Sequence, residues 1–458
     1  MKSLTISHRE SRRSTSSHRQ FRFISAGTLT VACVLSLTGL AGPASASHKS
    51  PASSTSDCNS ITTCYTPGQL EVAYGIKPLL KRGIDGRGET IVLPELAYPL
   101  GHLSESDLRQ DMKLFDKVFG LPAAKLRFVN SLAKVAEPWL ADQEEVLDAE
   151  VVHAIAPGAA ITVILVTATS LNDVASAVTA AVDSIRLGMT EGGIISISAA
   201  GQTGGEHCDS SAQVAQLNSA LQAAANDRVT VVAASGDIGA VGEPCDVIKG
   251  LIGGTFTPVK EVNLPASDPL VLSTGGTSLT ASHKTGAYIT EVAWGLPFGS
   301  PGTQFQASGG GFSSLFPRPS YQDGVSGIGT TRGVPDVSAD ASPHSGMALV
   351  ISGGGGHYTI RNSGGTSTSA PIWAGIIALA DQNAGRHLGD VNPAIYSIGR
   401  SAAYRLAFHD IVAGDNTPIF PGKKIVGYEA TTGWDPVTGW GSPISNVLVP
   451  LLDRYDHK

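Results

Sequence analysis

The chain has 458 residues, with 39 Asp and Glu against 32 Lys and Arg, a formal net charge of −7, and 42% hydrophobic residues. That acidic balance gives no reason to expect nucleic-acid binding. The length fits one large α/β domain or two small ones.

Residues 1–46 read as a secretory signal peptide. Six Lys/Arg and one acid precede an apolar run from Phe23 to Leu40, and Ala44-Ser45-Ala46 supplies a small-x-small cleavage site. The run is short, rich in Ser, Thr and Gly, and followed by small rather than basic residues, so a membrane anchor is not expected. This leader carries +5, which leaves −12 on the remaining 412 residues. A secreted, extracellular protein is expected. It should have no membrane association once the leader is removed, no nucleic-acid partner, and a monomeric state. Residues 47–63, Ser/Pro-rich over 47–57, read as a flexible segment ahead of one domain at 64–458.

Four cysteines follow the leader: Cys58, Cys64, Cys208 and Cys245. An even number in an oxidising compartment suggests two disulfides, and sequence order favours 58–64 and 208–245 among three possible pairings. A zinc site is not expected, because no CxxC or HExxH pattern occurs.

From there apolar β-rich runs alternate with helical patterns. Buried strands are expected at 90–96, 161–166, 194–198, 229–235, 270–276 and 348–354, and helices near 104–119, 142–156, 171–187, 211–226 and 370–384. The apolar stretch 151–169 is broken by Pro157-Gly158 and reads as helix, turn and strand rather than a membrane span. Strands without in–out alternation, separated by helices, predict a mostly parallel central sheet covered by helices on both faces. Sites in such sheets lie beyond the carboxyl ends of the strands.

Three segments carry chemistry. In DQEEVLDAEVVHA (142–154), Glu144 and Asp148 lie four apart on one helical face, where two like charges tend to share a proton. After the strand at 229–235 comes Gly236-Asp237-Ile238-Gly239, an acid flanked by glycines that fits either a turn or a cleft. At 364–371, GGTSTSAP places Ser367 on a glycine-rich turn at a helix mouth, whose free N–H groups and partial positive charge suit an oxyanion; Pro371 is expected in the first helical turn. A second GGTS, ending at Ser278, lacks the Ala-Pro and the helix. Glu145 could replace Glu144 only in a shifted register. His153, on another face of its helix, reads as packed rather than catalytic. No His-Gly-Thr segment accompanies the serine, so a Ser-His-Asp triad is not expected.

Together these motifs resemble the sedolisins, serine-carboxyl peptidases with a subtilisin-like fold in which a glutamate replaces the histidine. The family motif Ser-Gly-Thr-Ser-Ala-x-x-Pro is similar to Gly364–Pro371, its Glu-x-x-x-Asp to Glu144 and Asp148, and its Ala-Gly-Asp-x-Gly to Ser235-Gly236-Asp237-Ile238-Gly239. Further similar segments are LPASDPLVLSTGGTSL (264–279), ASGGGFSSLFPRPSYQ (307–322) and RGVPDVSADASP (332–343). The resemblance implies Ser367 as nucleophile, Glu144 as general base, Asp148 as its positioning acid, Asp237 as the oxyanion group, and acid-dependent hydrolysis of protein or peptide substrates. It also implies one structural Ca²⁺ held by the carboxylates of Asp410 and Asp435 and the carbonyls of Ile411, Thr431 and Gly433. Two features depart from the family pattern. About twenty residues separate Ala46 from the family-like start at Tyr65, where members usually carry a long propeptide. Ser198-Ala199-Ala200-Gly201 stands where Trp-Gly commonly follows Ser-x-Ser. The expected function is a secreted serine-carboxyl endopeptidase; the other reading is a secreted binding or scaffold protein on the same frame with little turnover.

Overall fold

The computed structural model describes residues 55–56, 64–97, 105–129, 142–167, 170–186, 193–198, 204–245, 257–295, 306–354, 357–420 and 423–455. The expected signal peptide lies outside them. The central sheet takes seven parallel strands. In chain order they are β1 (Thr90–Ala97), β2 (Lys125–Val129), β3 (Ala160–Thr167), β4 (Ile194–Ile197), β5 (Thr230–Ala234), β6 (Val271–Ala281) and, near its edge, Val337–Asp340. An eighth strand, β7 (Tyr288–Ala293), runs antiparallel beside β6. With Val337–Asp340 named β8, the order is β8-β6-β5-β4-β1-β3-β2. Five helices position the site: α1 (Glu105–Phe119), α2 (Asp142–Ile155), α3 (Leu171–Arg186), α4 (Ser211–Asn226) and α5 (Thr366–Ala384).

The strands are apolar on both faces because both faces are covered. Ile91 and Leu93 of β1 join the apolar core that contains α2 and α5, whereas Val92 between them joins the one that contains α3 and α4. Ile194 and Ile195 divide between the two cores in the same way, as a side-chain period of two requires. The missing in–out alternation in the sequence is this two-sided burial. Among the described residues no helix is long and apolar enough to cross a membrane. The break at 157–158 falls where expected, between the end of α2 and β3.

Several expectations need correction. Residues 348–354 do form a strand, but it pairs antiparallel with His357–Asn362 in a separate small sheet. The central sheet instead takes Val337–Asp340, a four-residue VSAD run too short and too polar to announce a buried strand. Of the segment expected to be flexible, Thr55–Ser56 pair in parallel with Thr359 and Ile360. Helix α5 begins at Thr366, so Pro371 sits inside it rather than in its first turn. Cys208 and Cys245 are disulfide-bonded as expected; Cys58, and with it the 58–64 pairing, lies outside the described residues.

Candidate active site

The site forms where the N-termini of α2 and α5 meet the ends of β1, β4 and β5. Helices α2 and α5 approach closely because Gly375 faces Ile155; a Cβ there would lie 2.6 Å from the Ile155 Cγ2 atom. With that contact fixed, the acidic first turn of α2 and the serine at the start of α5 come together.

Ser367 is the second residue of α5. The N-cap, Gly365, has φ +80°, a conformation that disfavours side chains, and a Cβ on it would fall 2.6 Å from Asp237 Oδ2. Thr366 then donates twice to Asp237 Oδ1, from its backbone N–H and from its hydroxyl, each at 2.8 Å. The Thr366 hydroxyl also accepts from Gly236 N–H at 3.1 Å. The glycine turn therefore ties the acid at the end of β5 to the residue preceding the serine.

Pro371 has a role at its interior position. It has no N–H to give to the carbonyl four residues back, which is that of Ser367. The Ser198 hydroxyl approaches that carbonyl at 3.4 Å while donating to Asp148 Oδ1 at 2.8 Å. Ser367 Oγ in turn lies 3.4 Å from the Ser198 carbonyl and hydrogen-bonds Glu144.

Burial pushes Glu144 up to about 7, with the charge of Asp237 acting in the same direction and the hydrogen bond to Ser367 pulling it back. Burial also raises Asp237, and the two donors of Thr366 oppose that rise. Asp148 lies fully buried one turn along α2 from Glu144; burial and then the Glu144 charge drive it well above the carboxylate range, against hydrogen bonds from Ser198 and Glu95. Glu95, buried on β1, is driven well up by burial and then by Asp148, Glu145 and Glu144. Glu95 and Asp148 thus act as one proton-sharing pair, with Glu95 as donor.

All four expected residues, Ser367, Glu144, Asp148 and Asp237, converge in this one place. In α2, Glu144 reaches the serine, whereas Glu145 acts on Glu95. Ser278 lies within β6. His153 is buried, 2.9 Å from the Pro122 carbonyl and 3.0 Å from Asp116. Sequence reasoning missed Glu95, Glu243 and the part played by Thr366. Glu95 left a signal, as the one acid in an otherwise apolar strand run, TIVLPELA. Glu243 accepts the Asp237 N–H at 3.0 Å, and burial followed by the Asp237 charge pushes it up to about 7. Nothing in its local sequence sets it apart.

The expected calcium residues also come together. Asp410 Oδ1 accepts Gly433 N–H at 2.9 Å and the Tyr404 hydroxyl at 2.8 Å, and both Asp410 and Asp435 act electrostatically on Tyr404. Asp435 is buried and accepts N–H groups from Thr431, Val437 and Thr438. Asp410 and Asp435 thus bring two carboxylates to neighbouring loops, and carboxylate oxygens are ligands of the kind Ca²⁺ takes.

This fold and site define a class: subtilisin-like α/β proteins in which carboxylates, not a histidine, surround the serine. No family model matches the chain. Kumamolisin from Bacillus sp. (strain MN-32) is 34% identical over 401 residues, covering 85% of this chain and 64% of kumamolisin. Sedolisin from Pseudomonas sp. (strain 101) is 37% identical over 190 residues, 42% of this chain and 29% of sedolisin. Among solved structures, Pseudomonas sedolisin, a serine-carboxyl proteinase complexed with two molecules of pseudo-iodotyrostatin, superposes with a TM-score of 0.67 at 25% identity, covering 85% of this chain and 98% of that one. The chain belongs to the sedolisin family. It spans less than two thirds of the length of the curated relatives it matches.

Proposed function

We propose that the chain is a secreted serine-carboxyl endopeptidase that hydrolyses peptide bonds in protein or peptide substrates at acidic pH. The observation that carries this reading is the Ser367 hydroxyl hydrogen-bonded to a glutamate pushed up to about 7, with a second carboxyl, Asp237, beside it. Glu144 takes the Ser367 proton as Oγ attacks the substrate carbonyl carbon. The carbonyl oxygen becomes an oxyanion, which a protonated Asp237 stabilises; a carboxylate could not donate this hydrogen bond. Glu144 then passes its proton to the leaving amine, and the peptide C–N bond breaks to give an acyl-serine. Water, deprotonated by Glu144, attacks this ester and releases Ser367. Asp148, held by Ser198 and Glu95, fixes and tunes Glu144.

The chemistry requires Glu144 ionised while Asp237 keeps its proton. Burial and the Asp237 charge raise Glu144, and burial raises Asp237, so the pair holds one proton over an acidic range and loses it as pH rises. That is the physical reason for activity at acidic pH. The other reading, a binding or scaffold protein with little turnover, leaves a set of acids raised by desolvation around a serine without a use, and such sets are costly to maintain.

The same reading assigns one structural Ca²⁺ to Asp410 and Asp435 with the carbonyls of Ile411, Thr431 and Gly433; bound there, it would join the two loops and supply stability. A monomer that crosses the membrane with the aid of residues 1–46 completes the proposal. The test is hydrolysis of an unfolded protein substrate by the purified chain across pH 3–8, with Ser367→Ala as control. Turnover confined to low pH and lost in the variant supports the proposal; equal turnover in the variant overturns it.

A further inference from the structure

Helix α5 carries the serine at one end and a second group of ligand-type side chains at the other. Asp381 lies in its last turn, His387 in the loop beyond its C-cap Gly385, and Glu89 immediately before β1. His387 Nδ1 is 3.3 Å from Glu89 Oε2 and 3.5 Å from Asp381 Oδ2, and one ligand atom from each of the three residues lies within 4.8 Å of the others. From these positions we propose a binding site for a divalent first-row transition metal, Zn²⁺ in particular, formed by Glu89, Asp381 and His387.

Three observations carry the proposal. The first is spacing. With metal–ligand distances of about 2.0–2.2 Å, the ligand atoms of a tetrahedral site sit roughly 3.4 Å apart. The two distances from His387 Nδ1 match that edge, and they are long for hydrogen bonds between the same groups.

The second is the state of the atoms. Asp381 Oδ2, Glu89 Oε2 and His387 Nδ1 are buried atoms whose polar neighbours in this cluster are one another, at distances long for hydrogen bonds, although the Asp381 side chain is fully buried and Glu89 nearly so. Nδ1 carries at most one proton, which the two carboxylate oxygens must share. A divalent cation would satisfy all three atoms at once.

The third is preorganisation. Asp381 Oδ1 is occupied by the Leu388 N–H at 3.0 Å, so Oδ2 alone remains for the site. The His387 carbonyl accepts from the Arg228 guanidinium at 3.1 Å, and its ring packs beside Gly193, where a Cβ would lie 3.4 Å from Cγ. The His387 side chain keeps 39% of its surface exposed, which gives the ion an entry path and a water in the fourth position. An imidazole with two carboxylates suits Zn²⁺ and its neighbours, whereas Ca²⁺ and Mg²⁺ take oxygen ligands, so this site would be distinct in chemistry from the loops around Asp410 and Asp435. The sequence carried no signal of it, because the three ligands are spread over 89–387 and share no motif spacing.

A bound ion would join the start of β1 to the far end of the serine helix, and its effect would be on stability. The experiment uses the folded protein stripped with a chelator, returned to saturating Ca²⁺, and titrated with Zn²⁺ and with Co²⁺ as an optical probe. We expect one equivalent retained through gel filtration, tetrahedral Co²⁺ bands in the visible, and a Tm raised by several degrees through preferential binding to the folded state. H387A, at a partly exposed position, and E89Q, which keeps the shape of the buried side chain, should fold with the Tm of the stripped protein and lose both the bands and the Tm response. Absence of bound metal in the unmodified protein, or retention of one equivalent with unchanged bands in H387A, would overturn the proposal.

Discussion

Thr366 gives its backbone N–H and its hydroxyl to the same oxygen of Asp237, each at 2.8 Å. The residue before the serine is therefore locked to the acid proposed to face the oxyanion, and Asp237 Oδ2 is the oxygen left to carry a proton towards substrate. Asp237→Asn keeps the shape but replaces an acid with an amide. Losing a tuned oxyanion donor costs about 10²–10³ in kcat. The Asp237 charge is one of the causes raising Glu144, so its removal should also move the acid limb of the kcat/KM profile to lower pH. A profile with its acid limb unmoved would count against the coupling between these two acids.

Stability should fall as pH rises. Glu144 and Glu243 are each raised by burial from the ordinary 4.5 to about 7 in the folded protein. Between those values the folded state holds protons that the unfolded state has lost, so unfolding releases them and becomes easier with increasing pH. Their contribution is fully present below about 4.5 and is lost as pH rises through about 7. Calorimetric Tm should therefore decline from pH 4 to pH 8. Glu243→Gln, which holds no titrating proton, should flatten part of that decline. A Tm rising over this range would contradict the assigned directions.

Glu95 acts on Asp148 as a protonated donor, so an amide can replace it but a methyl group cannot. Glu95→Gln should retain most of the low-pH kcat, whereas Glu95→Ala should lose about tenfold or more, with KM little changed in both. Equal losses in the two variants would show that side-chain bulk, not the donated hydrogen bond, is what matters. Circular dichroism and Tm separate these outcomes from unfolding.

Calcium removal should lower Tm without changing the shape of the pH profile, since Asp410 and Asp435 lie apart from the serine in the chemistry proposed. Binding to the folded state alone adds stability with ligand concentration. Titrating Ca²⁺ into chelated protein should raise Tm until saturation, and Asp435→Asn should abolish that response. No difference in Tm between chelated and Ca²⁺-saturated protein would remove the calcium site.

Much of this was legible in the sequence because local patterns carried it. The continuous apolar runs at 90–96 and 161–166 and the helical periods between them gave the parallel sheet and its two covered faces. The serine, the paired acids of α2 and Asp237 each sat in a short segment with its own turn or helix chemistry. What stayed hidden depends on contacts between distant segments. Strand β8 is four residues long and is recognisable only by its pairing with β6. Pro371 reads as a first-turn proline until the helix is seen to begin at Thr366, and only then does its missing N–H explain the freed carbonyl of Ser367. Glu243 acquires meaning through a hydrogen bond from the Asp237 backbone, which no spacing rule announces.

The central claim is that Ser367 works with carboxylates whose shared proton sets the working pH. Its most direct measurement is the pH dependence of kcat/KM on an unfolded protein substrate, for the unmodified chain and for Glu144→Gln. The account predicts a maximum below neutrality, an alkaline limb as the Glu144–Asp237 pair loses its proton, and a loss of about 10³-fold or more in the variant at every pH. A neutral or alkaline maximum, or a variant that retains the activity of the unmodified chain, would contradict it.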